Sequence, residues 1–294
     1  MRIFIAGGTG FVGAHLVEAL GEKCHELRLL VHRRSSGTSS GIDQVEGDVT
    51  RLETFEPSVS GCDAVINLVG IIREFPTRGI TFERLHVLAT SNMLAATRKS
   101  GIRRYLQMSA LGTRPDAVSC YHETKFRAEE LVRSSGLDAT ILRPSLIYGP
   151  RDTFINMLAG QLRLIPVMPV IGSGTYRLQP IHAADVARCF ALALEMPETV
   201  GQCFELCGNN RLSYMELVDA VASAMGKPAP FKPHLPLGLM RMVIPVLQRV
   251  PQFPITVDQL QMLIEENICD GSWKKVFRFE PRDFQEGIRE YLGR

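Results

Sequence analysis

The chain has 294 residues, 45% hydrophobic and 22% charged, with 33 basic residues against 31 acidic and a formal net charge of +2. That composition excludes an intrinsically disordered chain, and the scatter of both signs along the sequence gives no electrostatic case for nucleic acid. Seven cysteines, an odd number set mostly in apolar stretches, fit buried thiols in a reducing compartment. Cys203 and Cys207 are the only close pair; they read as strand residues without metal-ligand partners, and no metal site is expected. No secretory leader is expected ahead of a strand that starts at Arg2, and no apolar run reaches the ~18 residues of a membrane span. A cytoplasmic protein is expected.

Apolar runs alternate with helical patterns through the first half. The periodicities predict strands at Arg2–Ala6, Glu26–Val31, Ala64–Leu68, Tyr105–Met108 and Ala139–Leu142, and helices at Phe11–Leu20, Phe82–Lys99 and Tyr121–Ser134. Strands separated by helices of this length imply right-handed crossovers and a doubly wound parallel α/β sheet of the Rossmann type. After Pro150 the alternation loosens into Pro- and Gly-rich chain, followed by helical patterns at Ala183–Glu195 and Tyr214–Met225. Prolines then recur between Lys227 and Thr256. The expected organisation is a nucleotide domain at 1–150, to which the chain returns at about 176–200, and a small C-terminal lobe made of 151–175 and 201–294. That lobe is expected to close over the carboxyl ends of the strands, where such sheets bind ligands.

Between the first strand and the first helix lies Gly7-Gly8-Thr9-Gly10-Phe11-Val12-Gly13. A glycine turn at that point lets the backbone approach a pyrophosphate, with free N–H groups and the positive end of the helix dipole facing its charge. Its place after a strand and before an amphipathic helix makes it a candidate dinucleotide site rather than a plain tight turn. NAD sites usually end the second strand with an acid for the ribose 2′-hydroxyl. Here the strand ends Leu29-Leu30-Val31-His32-Arg33-Arg34, with Val31 where the acid would stand. Arg33 and Arg34 can pair with a 2′-phosphate, so NADP(H) is the expected cofactor; NAD(H) is the alternative if they only solvate a loop. Gly47-Asp48-Val49 closes the third strand and places Asp48 to accept from the adenine amino group.

To these add Asn67-Leu68-Val69-Gly70, Ser109, Tyr121-His122-Glu123-Thr124-Lys125, the run from Arg143 to Pro150, and Ile181-His182-Ala183-Ala184-Asp185-Val186-Ala187, all in that order. On these residues the chain resembles the extended and atypical short-chain dehydrogenase/reductase superfamily, of the NAD-dependent epimerase/dehydratase kind. The run from Arg151 to Asn156 and the Pro-rich lobe look most like the nucleotide-binding accessory subunit of respiratory complex I and its bacterial relatives. The resemblance implies a site in which Tyr121 is the acid/base, Lys125 holds the nicotinamide ribose and lowers the tyrosine pKa, and Ser109 polarises a carbonyl. Tyr121 and Lys125 stand at i and i+4, neighbours on one helix face. The implied cofactor contacts are Gly7, Thr9, Gly10, Phe11, Val12, Gly13, His32, Arg33, Arg34, Asp48, Val49, Leu68, Val69, Gly70, Lys125 and Pro144.

Two departures bear on turnover. The 12-residue step from Ser109 to Tyr121 is shorter than in sugar-nucleotide epimerases of the extended branch, which disfavours a sugar-nucleotide substrate. In the long helix, Leu85-His86-Val87 stands where the family often has an Asn supporting a relay water; His86 takes over that relay or simply packs. His182 and Asp185 read as braces for the returning chain.

The leading expectation is a reductase or dehydrogenase acting on an apolar carbonyl or hydroxyl compound. The alternatives are a dinucleotide-bound scaffold or redox sensor at a respiratory membrane complex and, third, an epimerase or dehydratase. The stretch 236–250, apolar almost all round and broken only by Arg241, Gln248 and Arg249, is either a lid over the substrate cleft or a contact with the inner face of a membrane or a respiratory complex. Substrate identity and oligomeric state stay open.

Overall fold

A computed structural model of the chain describes residues 1–34, 42–248, 250, 253 and 255–293. The chain divides into two compact units, Met1–Pro144 with Ala184–Glu205, and Ser145–Ala183 with Leu206–Arg294. The chain leaves the first unit after Pro144 and re-enters it at Ala184.

The first unit is built on a seven-stranded sheet. Its strands are β1 (Arg2–Ala6), β2 (Glu26–Val31), β3 (Ile42–Glu46), β4 (Ala64–Asn67), β5 (Arg104–Met108), β6 (Asp138–Pro144) and β7 (Cys203–Leu206), in the spatial order β7-β6-β5-β4-β1-β2-β3. The pairs from β3 across to β6 are all parallel. This is the Rossmann-like arrangement, with the chain reversing direction across the sheet between β1 and β4. Ile3, Phe4, Ile5 and Ala6 in β1 and all four residues of β4 are fully buried, as strands covered on both faces must be. The flanking helices are α1 (Phe11–Glu22), α2 (Ala89–Lys99), α3 (Cys120–Arg133) and α4 (Ala183–Glu195). On one face Phe4, Phe55, Met93, Leu94 and Tyr105 share a core cluster.

One expected element differs. The pattern Phe82–Lys99 reads as a single helix, but Glu83–Leu88 is wound as a π-helix before α2 begins. A π turn inserts an extra residue into the helix and so re-aims the side chains it carries. Here it turns His86 inward, 1% exposed and stacked on Phe82 with ring centroids 5.2 Å apart.

The second unit packs the helices Phe154–Leu164, Tyr214–Ala224 and Phe284–Leu292 around Tyr148, Leu158, Leu217, Val221 and Ile288. Ser213 caps the second of these, its hydroxyl accepting from Glu216 N while the Glu216 carboxylate accepts from Ser213 N. Asp152 accepts from the Ile155 and Gly149 amides, from Asn156 Nδ2 and from the Tyr291 hydroxyl. The run 151–156 therefore shapes a helix start. The cysteines need a correction: Cys207 and Cys269, 62 residues apart, are joined as a disulfide, while Cys24, Cys62, Cys120, Cys189 and Cys203 take part in no disulfide. Trp273 Nε1 donates to the Cys207 carbonyl at 3.1 Å, so the bridge lies in a packed wall and not in an open thiol pair.

The stretch 236–250 forms a helix at Leu237–Leu247 containing Pro245; Arg249 lies outside the described residues. Among the described residues no helix is long and apolar enough to cross a membrane, and no group of three or more His, Cys, Asp or Glu could hold a metal ion.

Candidate functional site

All the expected cofactor and catalytic residues fall in the first unit. The turn from β1 into α1 needs its glycines for space. Gly7 has φ +82°, and a Cβ there would meet the Leu68 carbonyl carbon at 3.0 Å and Val69 N at 3.2 Å. A Cβ on Gly13 would lie 2.3 Å from the Gly7 oxygen, which lets α1 sit directly on the turn. The helix starts at Gly10 with no side-chain cap and no acid in its first turn, so its leading amides remain for an anionic ligand. Gly10 and Thr9 are exposed, Phe11 is half-buried against the edge of His15, and Val12 is buried in the core. A turn stripped of side chains, facing uncapped amides, fits a dinucleotide pyrophosphate.

Lys125 is strongly perturbed by burial. It is 2% exposed, and its ammonium donates to the carbonyls of Val69 and Met108 at 3.4 and 3.3 Å. Burial brings its pKa down to about 8, against the opposing pull of Glu129. A Cβ on Gly70 would stand 2.8 Å from Lys125 Nζ, so a side chain there would push the ammonium aside. The structure thus brings together the glycine turn, Leu68-Val69-Gly70 and Lys125.

Tyr121 lies one turn earlier on α3, buried edge-on against Phe82, His86 and His122 at 5.1–5.7 Å between ring centroids. Burial among these rings pushes its phenol up to about 12. His86 has both ring nitrogens engaged, Nδ1 with the Thr124 hydroxyl at 2.9 Å and Nε2 against the Ile71 peptide. Burial, then the nearby Lys125 ammonium, brings its pKa down to about 2, so the ring is neutral. Ser109 Oγ, 4% exposed, points to Thr113 Oγ1 at 3.5 Å, and Thr113 Oγ1 lies 3.5 Å from His122 Nδ1.

At the other edge of the site, Val31 is buried at the end of β2 and His32, Arg33 and Arg34 follow it exposed. Asp48 Oδ1 accepts from Thr50 N and Thr50 Oγ1, both at 2.8 Å. Burial raises the Asp48 carboxyl, but those hydrogen bonds outweigh it and hold the group below its ordinary value. Val49 is buried with its carbonyl accepting from Asn92 Nδ2, and the Pro144 carbonyl accepts from Leu111 N.

Sequence reasoning passed over Glu129. It is fully buried, accepting from Arg143 Nε and Nη2, both at 2.7 Å, and from Arg133 at 2.8 Å. Its spacing of four from Lys125 was the available signal.

The sheet order and the glycine turn define a Rossmann-like α/β protein. Residues 3–207 match the family described as the NAD dependent epimerase/dehydratase family, and the chain belongs to it. Among its relatives, "NADH dehydrogenase [ubiquinone] 1 alpha subcomplex subunit 9, mitochondrial" of Arabidopsis thaliana is 31% identical over 227 residues, 73% of this chain but only 56% of the relative. "Ceramide reductase" of Caulobacter vibrioides is 32% identical over 188 residues, 63% of this chain and 58% of the relative. The chain therefore spans a little over half the length of both. Among solved structures, gox2253 has a TM-score of 0.78 at 24% identity, covering 99% of this chain and 97% of that one. The Streptomyces venezuelae dTDP-glucose 4,6-dehydratase DesIV, with NAD and TYD bound, has 0.77 at 18%, covering 100% and 96%. Likeness at these identities shows the fold.

Proposed function

We propose that the protein is an NADP(H)-dependent reductase of the atypical short-chain type, acting on an apolar carbonyl compound. The observation that carries this reading is the Lys125 ammonium, buried between the Val69 and Met108 carbonyls beside Gly70 and one helical turn from Tyr121. When bound, the dinucleotide supplies the hydride. The glycine turn and the first amides of α1 hold its phosphates, Arg33 and Arg34 take the 2′-phosphate, and Lys125 orients the nicotinamide ribose. Tyr121, protonated at neutral pH with a pKa of about 12, holds the proton that the substrate oxygen needs after hydride arrival, which favours the reducing direction. The reductase names among the relatives support the same direction, and one of them acts by its name on a lipid.

The test is paired. NADPH should bind at least tenfold tighter than NADH, about 1.4 kcal/mol, and Arg33→Ala with Arg34→Ala should remove the difference. Tyr121→Phe should keep dinucleotide affinity yet slow hydride transfer by ~10²-fold. Equal affinities sink the NADP(H) assignment, and an unchanged rate sinks the role of Tyr121.

A second reading is a dinucleotide-holding subunit of a respiratory membrane complex, without turnover. It rests on the relatives named as NADH dehydrogenase subunits and on Ser109, whose hydroxyl points to Thr113. Dinucleotide that copurifies and stays unoxidised with every carbonyl offered would favour it.

A further inference from the structure

Independently of the dinucleotide site, we infer that the second unit docks on an anionic lipid bilayer through the helix Leu237–Leu247. This helix is built the wrong way round for water. Its buried side is held by Ile244, 0% exposed, whereas Leu239, Met242 and Val246 are 52%, 76% and 63% exposed. Their i, i+3, i+7 spacing sets them in one stripe, opposite Ile244, so the apolar stripe of the helix faces outward. A stripe facing solvent in this way marks an interaction surface.

Further exposed apolar side chains precede the helix in the chain. The strand residues His234 and Leu235, just before it, pair with Val170 and Ile171. Phe231 exchanges backbone hydrogen bonds with the Pro166–Met168 segment, Phe231 N donating to Pro166 O and Met168 N to Phe231 O. Phe231 is 70% exposed and Leu164 85%. The paired segments thus carry two further exposed apolar side chains.

Charge decides the partner. Between Asp152 and Asp185, and again between Asp219 and Asp258, the chain holds no Asp or Glu. Arg163 sits beside Leu164, and Arg241 lies inside the helix, both exposed. Lys232 is paired with Asp219 and Arg177 with Glu266, so those two charges are answered within the protein. Apolar side chains flanked by arginines over an acid-free stretch match the chemistry of anionic head groups above acyl chains, which binds interfacial helices through charge and apolar area together.

The experiment is flotation of the full chain with vesicles of phosphatidylcholine mixed with phosphatidylglycerol, and with phosphatidylcholine alone. Wild type should float with the anionic vesicles at low salt and at least ~tenfold less with the neutral ones. Leu239→Gln/Met242→Gln/Val246→Gln should lose that binding by at least ~tenfold while keeping its melting temperature and dinucleotide affinity. Arg163→Glu/Arg241→Glu, which leaves the apolar stripe intact, should abolish the preference for anionic lipid. Wild type that stays unbound overturns the inference, as does a glutamine variant that floats like wild type. So does a wild-type dimer in light scattering that the glutamine variant splits, without vesicle binding, since a second copy would then cover the stripe.

Discussion

Lys125→Met offers the sharpest test of the site because the buried ammonium leaves a signature in stability as well as in binding. In the unfolded chain the amine titrates at its ordinary 10.5; in the folded protein burial brings it to about 8. Between those values the unfolded chain holds a proton that the folded one has released, so stability rises with pH across the window. Below about pH 8 both states are protonated and the full cost of burying the charge is present, about 3 kcal/mol at about 1.4 kcal/mol per pH unit. Integrated from pH 7 to pH 10, the recovery is about 2 kcal/mol. The raised phenols of Tyr105 and Tyr121 act the other way above pH 10, and they are common to wild type and variant, so they cancel in the comparison. Urea unfolding without dinucleotide, at pH 7, 8, 9 and 10, should show wild type gaining about 2 kcal/mol relative to Lys125→Met. The variant should bind dinucleotide at least ~tenfold more weakly at pH 7, since the ribose loses its cationic partner. Parallel stability curves would mean that the ammonium is solvated in the folded protein, and the placement of Lys125 against Val69 and Met108 would be refuted.

Much of this arrangement was legible in the sequence because it is local. The strands Arg2–Ala6 and Glu26–Val31 and the helix Ala183–Glu195 fall where continuous apolar runs and a 3.6 period put them. The glycine turn is legible for the same reason: side chains at Gly10 and Gly13 would meet the Gly7 oxygen, three and six residues away. What escaped depends on distant neighbours. The π turn at Glu83–Leu88 shares the apolar spacing of an α-helix and is distinguished only by the partners His86 finds in Thr124 and Ile71, both from other segments. The Cys207–Cys269 bridge spans 62 residues, and Cys203 is nearer in sequence to Cys207 than its real partner. The elevated phenol of Tyr121 follows from Phe82 and His86 arriving through that same π turn. Family spacing located the Tyr and Lys, but the surroundings that set their pKa values come from elsewhere in the chain.

Three further outcomes are expected. Glu129→Gln should cost about 3 kcal/mol in urea unfolding, because it removes the buried carboxylate that pairs with Arg143 and leaves that guanidinium only the looser contact with Glu205, and it should lower the Lys125 pKa further by removing the group that raises it. Unfolded but unreduced protein should show five reactive thiols among its seven cysteines, and seven only after reduction; seven without reductant would dissolve the Cys207–Cys269 bridge. The last concerns two glycines of α1 that the same substitution should drive in opposite directions. At Gly13 an added methyl would stand 2.3 Å from the Gly7 oxygen and 2.6 Å from the Gly8 carbonyl carbon, all backbone, so helix and turn must separate. Gly13→Ala should therefore lose about 2 kcal/mol of stability and, with the leading amides displaced, most of its dinucleotide affinity. At Gly21 nothing lies within 4 Å, and Gly21→Ala should gain about 0.5–1 kcal/mol by restricting the unfolded chain and favouring the helix. Because both sites sit on one helix, a change in helix propensity alone would stabilise both. Only the seating of α1 on the turn separates them, and two stabilised variants would mean that the turn is not closed as described.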